Sequence, residues 1–209
     1  MAFCFPRFIK IEFEVGLRQG SVLSPSLFAI YLNDIISILP LTHRYCVILY
    51  ADVILIIAPS VSELQNIVNI CEHELNRPDM LLNVKKSCCM RIGQRHDVKC
   101  AAILCADGTP LAWVDSIRYL GVFIVRSRKF KCSFDNAKRS FFRSVNALFG
   151  KLGRSASEDI FLHLVNSKCL SILLYCLEVC PLNKSDLRSL DFTVTRLLMK
   201  LFHHHHHYR

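Results

Sequence analysis

The sequence lacks the spacings that hold zinc. Its 11 cysteines include no C-x-x-C pair and no ribbon-like grouping, which excludes a zinc ribbon. Cys88 and Cys89 are adjacent, a poor arrangement for chelation or for a disulfide. Cys176 and Cys180 are four apart and share a face if that segment is helical. This odd, high count reads as reduced, mostly buried thiols of an intracellular protein, with nothing to separate nucleus from cytoplasm. Long apolar runs are missing too. The most apolar stretch, 45–58, contains Asp52 and is too short for a spanning helix, so no membrane protein is expected. The start, MAFCFPRFIKIEFEVG, has no continuous apolar segment and no small-residue cleavage site, so no signal peptide is expected. Acidic residues are the scarce charge: 17 Asp and Glu face 26 Lys and Arg, for a formal charge of +9. That balance suits a polyanionic partner, because basic side chains displace counterions condensed on phosphates. Hydrophobic residues make up 52% and charged residues 21%, a folding composition and not a disordered one.

The patterning predicts an α+β chain to about residue 132 and a helical module after it. Ile9, Ile11, Phe13 and Val15 alternate with Lys10, Glu12 and Glu14, the period of a half-buried strand. A polar loop, Gly16 to Pro25, precedes a helix that runs to Leu39–Pro40, with Ser24 and Pro25 as its start signal. Tyr45–Leu49 and Ile54–Ala58 form a hairpin around Tyr50-Ala51-Asp52-Val53. Ser60 to Asn76 is a helix, with Ser62 as cap and Gln65 completing a capping box. Leu82–Val84 and Cys88–Ile92 flank Lys85-Lys86. Asp107-Gly108 is a turn between Ala101–Cys105 and Leu111–Val114, and Ile117 to Val125 is a strand-like run around Gly121. Three helices follow: Ala137–Leu152, Ser157–Leu177 and Lys184–Phe202, starting near Asp135, Ser155 or Ser157, and Asn183. The run His203–His207, a tag or a coding repeat, stands apart from this reading.

Four strings carry chemistry. Gly16-Leu17-Arg18-Gln19-Gly20-Ser21-Val22-Leu23-Ser24-Pro25 resembles motif B of reverse transcriptases, G-x-x-Q-G-x-x-L-S-P. Its glycines let backbone approach a ligand, Gln19 can bond a base or sugar, and Arg18 can reach a phosphate. Tyr50-Ala51-Asp52-Val53 resembles motif C, whose usual form is Tyr/Phe-Ala-Asp-Asp. Leu82-Asn83-Val84-Lys85-Lys86-Ser87 resembles motif D, with Lys86 matching its lysine; by itself it reads as a solvated basic turn. Tyr119-Leu120-Gly121-Val122 resembles the Y-L-G hairpin said to meet the primer strand; by itself Gly121 reads as a glycine in a packed strand. Their order is more specific than any member. The stretch from Arg126 to Phe202 is similar to the region after the palm in CR1- or jockey-like elements.

The resemblance implies a non-LTR retrotransposon (LINE) reverse transcriptase, an RNA-directed DNA polymerase. It implies a partial palm over 1–132, a thumb-like region over 133–202 and the His-rich tail over 203–209. The expected fold is a truncated palm, a β-hairpin sheet with packed helices, before a helical thumb. The implied partners are an RNA template and a DNA primer, held by Arg18, Gln19, Gly20, Tyr50, Tyr119 and Gly121. The implied cofactor is Mg2+, two ions of which carry the nucleotidyl transfer. Lys86 would neutralise charge or protonate pyrophosphate. Here the pattern breaks. Asp52 is the one recognisable carboxylate and metal ligand, because Val53 replaces the second Asp and no match to motif A precedes Gly16. Polymerase activity is therefore expected to be defective. The alternatives are a nucleic-acid-binding module without catalysis and a translated relic without function. Lys138, Arg139, Arg143, Lys151 and Arg154 are spaced as a thumb gripping a duplex would need, and equally as a solvated helix face.

Overall fold

A computed structural model describes residues 7–14, 45–50, 53–76, 81–152 and 157–206. The order is β1 (Arg7–Glu14), β2 (Cys46–Tyr50), β3 (Val53–Ala58), α1 (Val61–Asn76), β4 (Leu81–Leu82), β5 (Cys88–Arg91), β6 (Ala112–Trp113), β7 (Ser116–Tyr119), β8 (Val122–Val125), β9 (Cys132–Ser133), α2 (Asp135–Leu152), α3 (Glu158–Leu164), a π-helical turn (Val165–Cys169), α4 (Leu170–Leu174) and α5 (Lys184–His206). The chain forms two compact units, one of Met1–Tyr119 with Ile124–Phe130 and one of Leu120–Phe123 with Lys131–Arg209. Helix and sheet are thus mixed, as an α+β chain requires. Among the described residues no helix is long and apolar enough to cross a membrane.

The first unit is built on β3. Its sequence, VILIIA, reads as one apolar run because both of its faces are covered. Ile54, Ile56 and Ala58 point to one side, where Ile9, Leu64, Ile67, Val68, Cys71 and Cys89 complete a core. Leu55 points to the other, against Met90, Ile92, Ile117 and Ile124. β5 divides its side chains the same way, Cys89 to the first core and Met90 to the second. Each fully buried aliphatic side chain stabilises by about 1.5–3 kcal/mol, so this alternation fixes the register. The main sheet runs β2-β3-β1-β5-β6, with β4 also pairing β1. β1 is antiparallel to β3, β4 and β5, β2 is antiparallel to β3, and β5 is parallel to β6. A second sheet has the order β7-β8-β9.

Helix α1 covers the first core with Leu64, Ile67, Val68 and Cys71, all buried at helical spacing. It also clamps the segment that follows β5. Gln65 donates Nε2–H to the carbonyl of Leu104 at 2.7 Å and accepts the Leu104 N–H on Oε1 at 2.8 Å. Glu72 accepts the Ala106 N–H at 2.9 Å. These bonds correct the expected cap. Ser60, not Ser62, caps α1: its Oγ accepts the Glu63 N–H at 3.1 Å and donates to the Glu63 carboxylate at 3.0 Å. Gln65 serves the long-range contact instead of a capping box.

Three further expectations change. The run Ile117–Val125 is two strands, because Leu120 (φ 46°) and Gly121 (φ 82°) turn the chain between β7 and β8. Residues 101–103 form no strand; the Asp107-Gly108 turn is closed by the Thr109 N–H and hydroxyl on the Asp107 carboxylate, with one bridge between Leu104 and Pro110. The helix expected over Ser157–Leu177 widens at Val165–Cys169 and ends at Leu174. Cys176 (φ 57°) and Cys180 therefore lie in turns and do not share a helix face.

The second unit packs α2 through Phe141 and Val145 against Phe161, Val165, Cys169, Leu173, Leu190, Leu197 and Leu201. The capping signal at Asn183 holds: its Oδ1 accepts the Asp186 N–H at 2.8 Å, and its own N–H reaches the Asp186 carboxylate at 3.2 Å. Of the 10 cysteines described, Cys71, Cys89, Cys105, Cys132, Cys169 and Cys180 are buried, and all 10 are free thiols.

The Ser60 cap is directly measurable. Ser60→Ala is expected to destabilise the protein by about 1 kcal/mol. Ser62→Ala is expected to stay within about 0.5 kcal/mol of wild type. Denaturant unfolding of the two variants side by side checks the assignment.

Candidate functional site

The register places Tyr50 and Val53 at one end of the main sheet. Tyr50 pairs with Val53 at the end of the β2–β3 hairpin, leaving Ala51 and Asp52 between them. Across β3, Glu12 of β1 is the residue opposite Val53. Asp52 lies outside the described residues, as do Arg18, Gln19 and Gly20 of the loop and the helix expected after it. Tyr50 ends β2 with its side chain 58% exposed. Val53 is half-buried at the head of β3. Its methyl groups suit a strand but offer no lone pair where a carboxylate would supply one.

Tyr119 ends β7 and packs on the Leu55, Met90, Ile92, Ile117 and Ile124 cluster. Its hydroxyl oxygen is buried and finds no hydrogen-bond partner among the described residues. Burial pushes its phenol above the ordinary tyrosine value, and the charge of a nearby Tyr50 phenolate adds to the shift. Lys86 is exposed in a turn closed by Asn83, whose carbonyl accepts the N–H of Lys86 and of Ser87. No contact joins Lys86 to Tyr50 or Tyr119 among the described residues.

Gly121 belongs to the second unit, and there a residue the sequence did not single out holds it. Tyr175 follows α4 and donates its hydroxyl to the carbonyl of Leu120 at 3.0 Å. A Cβ built on Gly121 would stand 3.0 Å from the Tyr175 ring. Glycine is required here twice over, by the positive φ and by this ring. No local pattern could have pointed to Tyr175, because the contact spans more than fifty residues.

The second unit also sorts the expected basic residues. Lys138 is committed internally: its ammonium pairs with Asp135 at 2.8 Å and donates to Ser189 at 3.0 Å. That bond holds the Asp135 carboxyl below the ordinary carboxylate range. Arg139, Arg143 and Lys151 are exposed on α2, and Arg154 lies outside the described residues. Helix α5 adds two cations: Arg196 stands over the Phe142 ring at 5.9 Å and Lys200 over the Phe149 ring at 5.3 Å. Two cations of α5 thus rest on aromatic rings of α2.

Residues 5–124, more than half of the chain, match the family model described as reverse transcriptase (RNA-dependent DNA polymerase). No curated protein matches the chain.

The turn makes a checkable claim. Gly121→Ala is expected to destabilise the second unit by about 1–2 kcal/mol, from the left-handed backbone and the Tyr175 contact together. In a Tyr175→Ala background the same change is expected to cost less, since only the backbone part remains. A double-mutant cycle by thermal unfolding measures the difference.

Proposed function

The chain belongs to the reverse transcriptase (RNA-dependent DNA polymerase) family, and on that premise we propose that it is a palm-and-thumb portion of a non-LTR retrotransposon enzyme, CR1- or jockey-like, that holds nucleic acid without extending a primer. The observation that carries this is Val53. It stands at the head of β3 opposite Tyr50, where motif C of the family has its second Asp.

The family reaction adds a deoxynucleotide to a primer hydroxyl, with one Mg2+ activating the hydroxyl and a second stabilising the departing pyrophosphate. Such a pair of hard cations needs several carboxylate oxygens around it. The residues present do not fit that pair. Asp52 supplies one carboxylate, Val53 supplies none, and the 209 residues contain no match to the family's motif A. No catalytic step is derived through the ions for this reason. What the chain retains is the means to bind. Arg18, Gln19 and Gly20 of the loop, the Tyr50 and Tyr119 phenols and the Gly121 turn keep the family's contact residues, and Lys86 keeps the lysine of motif D. The exposed Arg139, Arg143, Arg196 and Lys200 on α2 and α5 give a thumb-like face for the phosphates of a template–primer duplex.

Two measurements test this reading. In primer extension with an RNA template, DNA primer, dNTPs and Mg2+, neither the chain nor Val53→Asp is expected to extend above background. Template-dependent extension by either overturns the proposal. An RNA–DNA hybrid is expected to bind with an affinity that falls about 10²-fold between 50 and 200 mM salt, the slope of some four phosphate contacts. Arg139→Glu with Arg143→Glu is expected to weaken binding and lower that slope by about 2. Absence of binding at low salt leaves the relic reading.

A further inference from the structure

The first unit has a cavity at the other end of its sheet from the hairpin tip. Along β1, Glu12 faces Val53, whereas Arg7 faces both Ala58 and Arg91. Five residues of strand separate the two ends, about 16 Å. Near Arg91 a cavity of about 280 Å³ is lined by Arg91, His96, Asp97, Lys99, Trp113 and Arg126, among others. That is just under the ~300–1,000 Å³ of drug-sized ligand sites and leaves room for one small ligand.

Its chemistry is uneven. Three permanent cations line it against one carboxylate, Asp97. Among the described residues Arg91 makes two long contacts, both with one nitrogen, Nη1 to the carbonyl of Val98 and to Sγ of Cys100, each at 3.5 Å. A guanidinium has five N–H donors, so most of its bonding capacity is unspent. Among the described residues no carboxylate pairs with Arg91 or Lys99. Arg126 gives Nε to Asp115 at 3.1 Å, which leaves its two terminal nitrogens. Trp113 is complementary. Its indole N–H is already donated to the carbonyl of Ala101 at 3.1 Å, so the ring surface is what it offers a ligand. The wall is fixed by backbone bonds: His96 N–H to Gly93, Val98 N–H to Arg95, and Gly93 N–H to Ser127.

Under-coordinated arginines call for an oxyanion, and an indole with its N–H engaged calls for a flat aromatic face. We propose that this cavity binds a nucleotide, with the phosphate held by Arg91, Lys99 and Arg126 and the base stacked on Trp113. The inference does not rest on the template–primer reading, because no residue of the hairpin tip takes part. The nucleotide is either free or one unit of a single strand, since both present the same phosphate and base.

Trp113 is the one tryptophan in the chain and lines this cavity, so its emission serves as the reporter. The full chain is titrated with adenosine monophosphate and separately with single-stranded oligoadenylate. Saturable quenching is expected from at least one. Equal molar affinity for both identifies a free nucleotide as sufficient, and tighter binding of the oligomer identifies a strand. Arg91→Gln is expected to weaken binding about tenfold or more, the usual effect of losing a charged hydrogen bond. Lys99→Gln, an exposed loop change that leaves the fold intact, is expected to weaken it in the same direction. The result that overturns the proposal is no saturable quenching by either probe at millimolar concentration, or equal binding by wild type and both variants. Extension reads the hairpin end and hybrid binding reads the cations of α2 and α5, so the two failures are distinguishable.

Discussion

Everything in the first unit depends on β3 being covered on both faces. A strand with Ile54, Ile56 and Ala58 on one side and Leu55 on the other cannot sit at a solvated edge without exposing one of the two sets. Pairing β1 and β2 on its two flanks, α1 on one face and the Ile117 and Ile124 pair on the other resolves this. A one-residue slip would exchange the two sets, so the register is rigidly specified. The position of the hairpin end follows from that register. Tyr50 and Val53 stand where they do because the aliphatic residues behind them allow no other pairing.

This separates fold from chemistry. The carboxylates of a two-metal centre contribute nothing to the burial of β3, and Val is a better strand residue than Asp. Val53 at the head of β3 therefore serves the scaffold and offers no oxygen to a cation. The same logic explains why β1 matters. It lies between β3 and β5, pairs with both, and places Ile9 fully buried in the core. The sheet is thus filled at its centre, and its ends remain available for binding surfaces.

Much of this was legible in the residues. Period-2 patterning gave the strand at Ile9–Val15, and the two apolar runs around Tyr50–Val53 gave the hairpin with its loop in the right place. The helix of Leu64, Ile67, Val68 and Cys71 and the Asn183 cap were equally plain. The errors have physical causes. Ser60 and Ser62 both precede the apolar stripe, and only the N–H geometry selects Ser60. A continuous apolar string hid the turn at Leu120-Gly121, because a glycine inside a run looks like a packed strand until its φ is known. Tyr175 on Leu120, Gln65 on Leu104 and the cavity at Trp113 join residues distant in sequence, and no local pattern encodes them. Of the candidate site residues, Tyr50, Lys86, Tyr119 and Gly121 are described, whereas Asp52 and the Arg18-Gln19-Gly20 loop fall outside the described residues.

The central claim is that the hairpin end cannot assemble a pair of catalytic cations. Mn2+ substitutes for Mg2+ at oxygen sites and is countable by electron paramagnetic resonance. Titration of the full chain with Mn2+, in the presence of an RNA–DNA duplex and an incoming nucleotide, measures the claim without relying on turnover. Ions bound by the nucleotide alone are subtracted with a protein-free control. The account predicts no saturable protein-dependent pair of sites, in wild type or in Asp52→Asn. Two protein-dependent ions per chain that are lost in Asp52→Asn would contradict it.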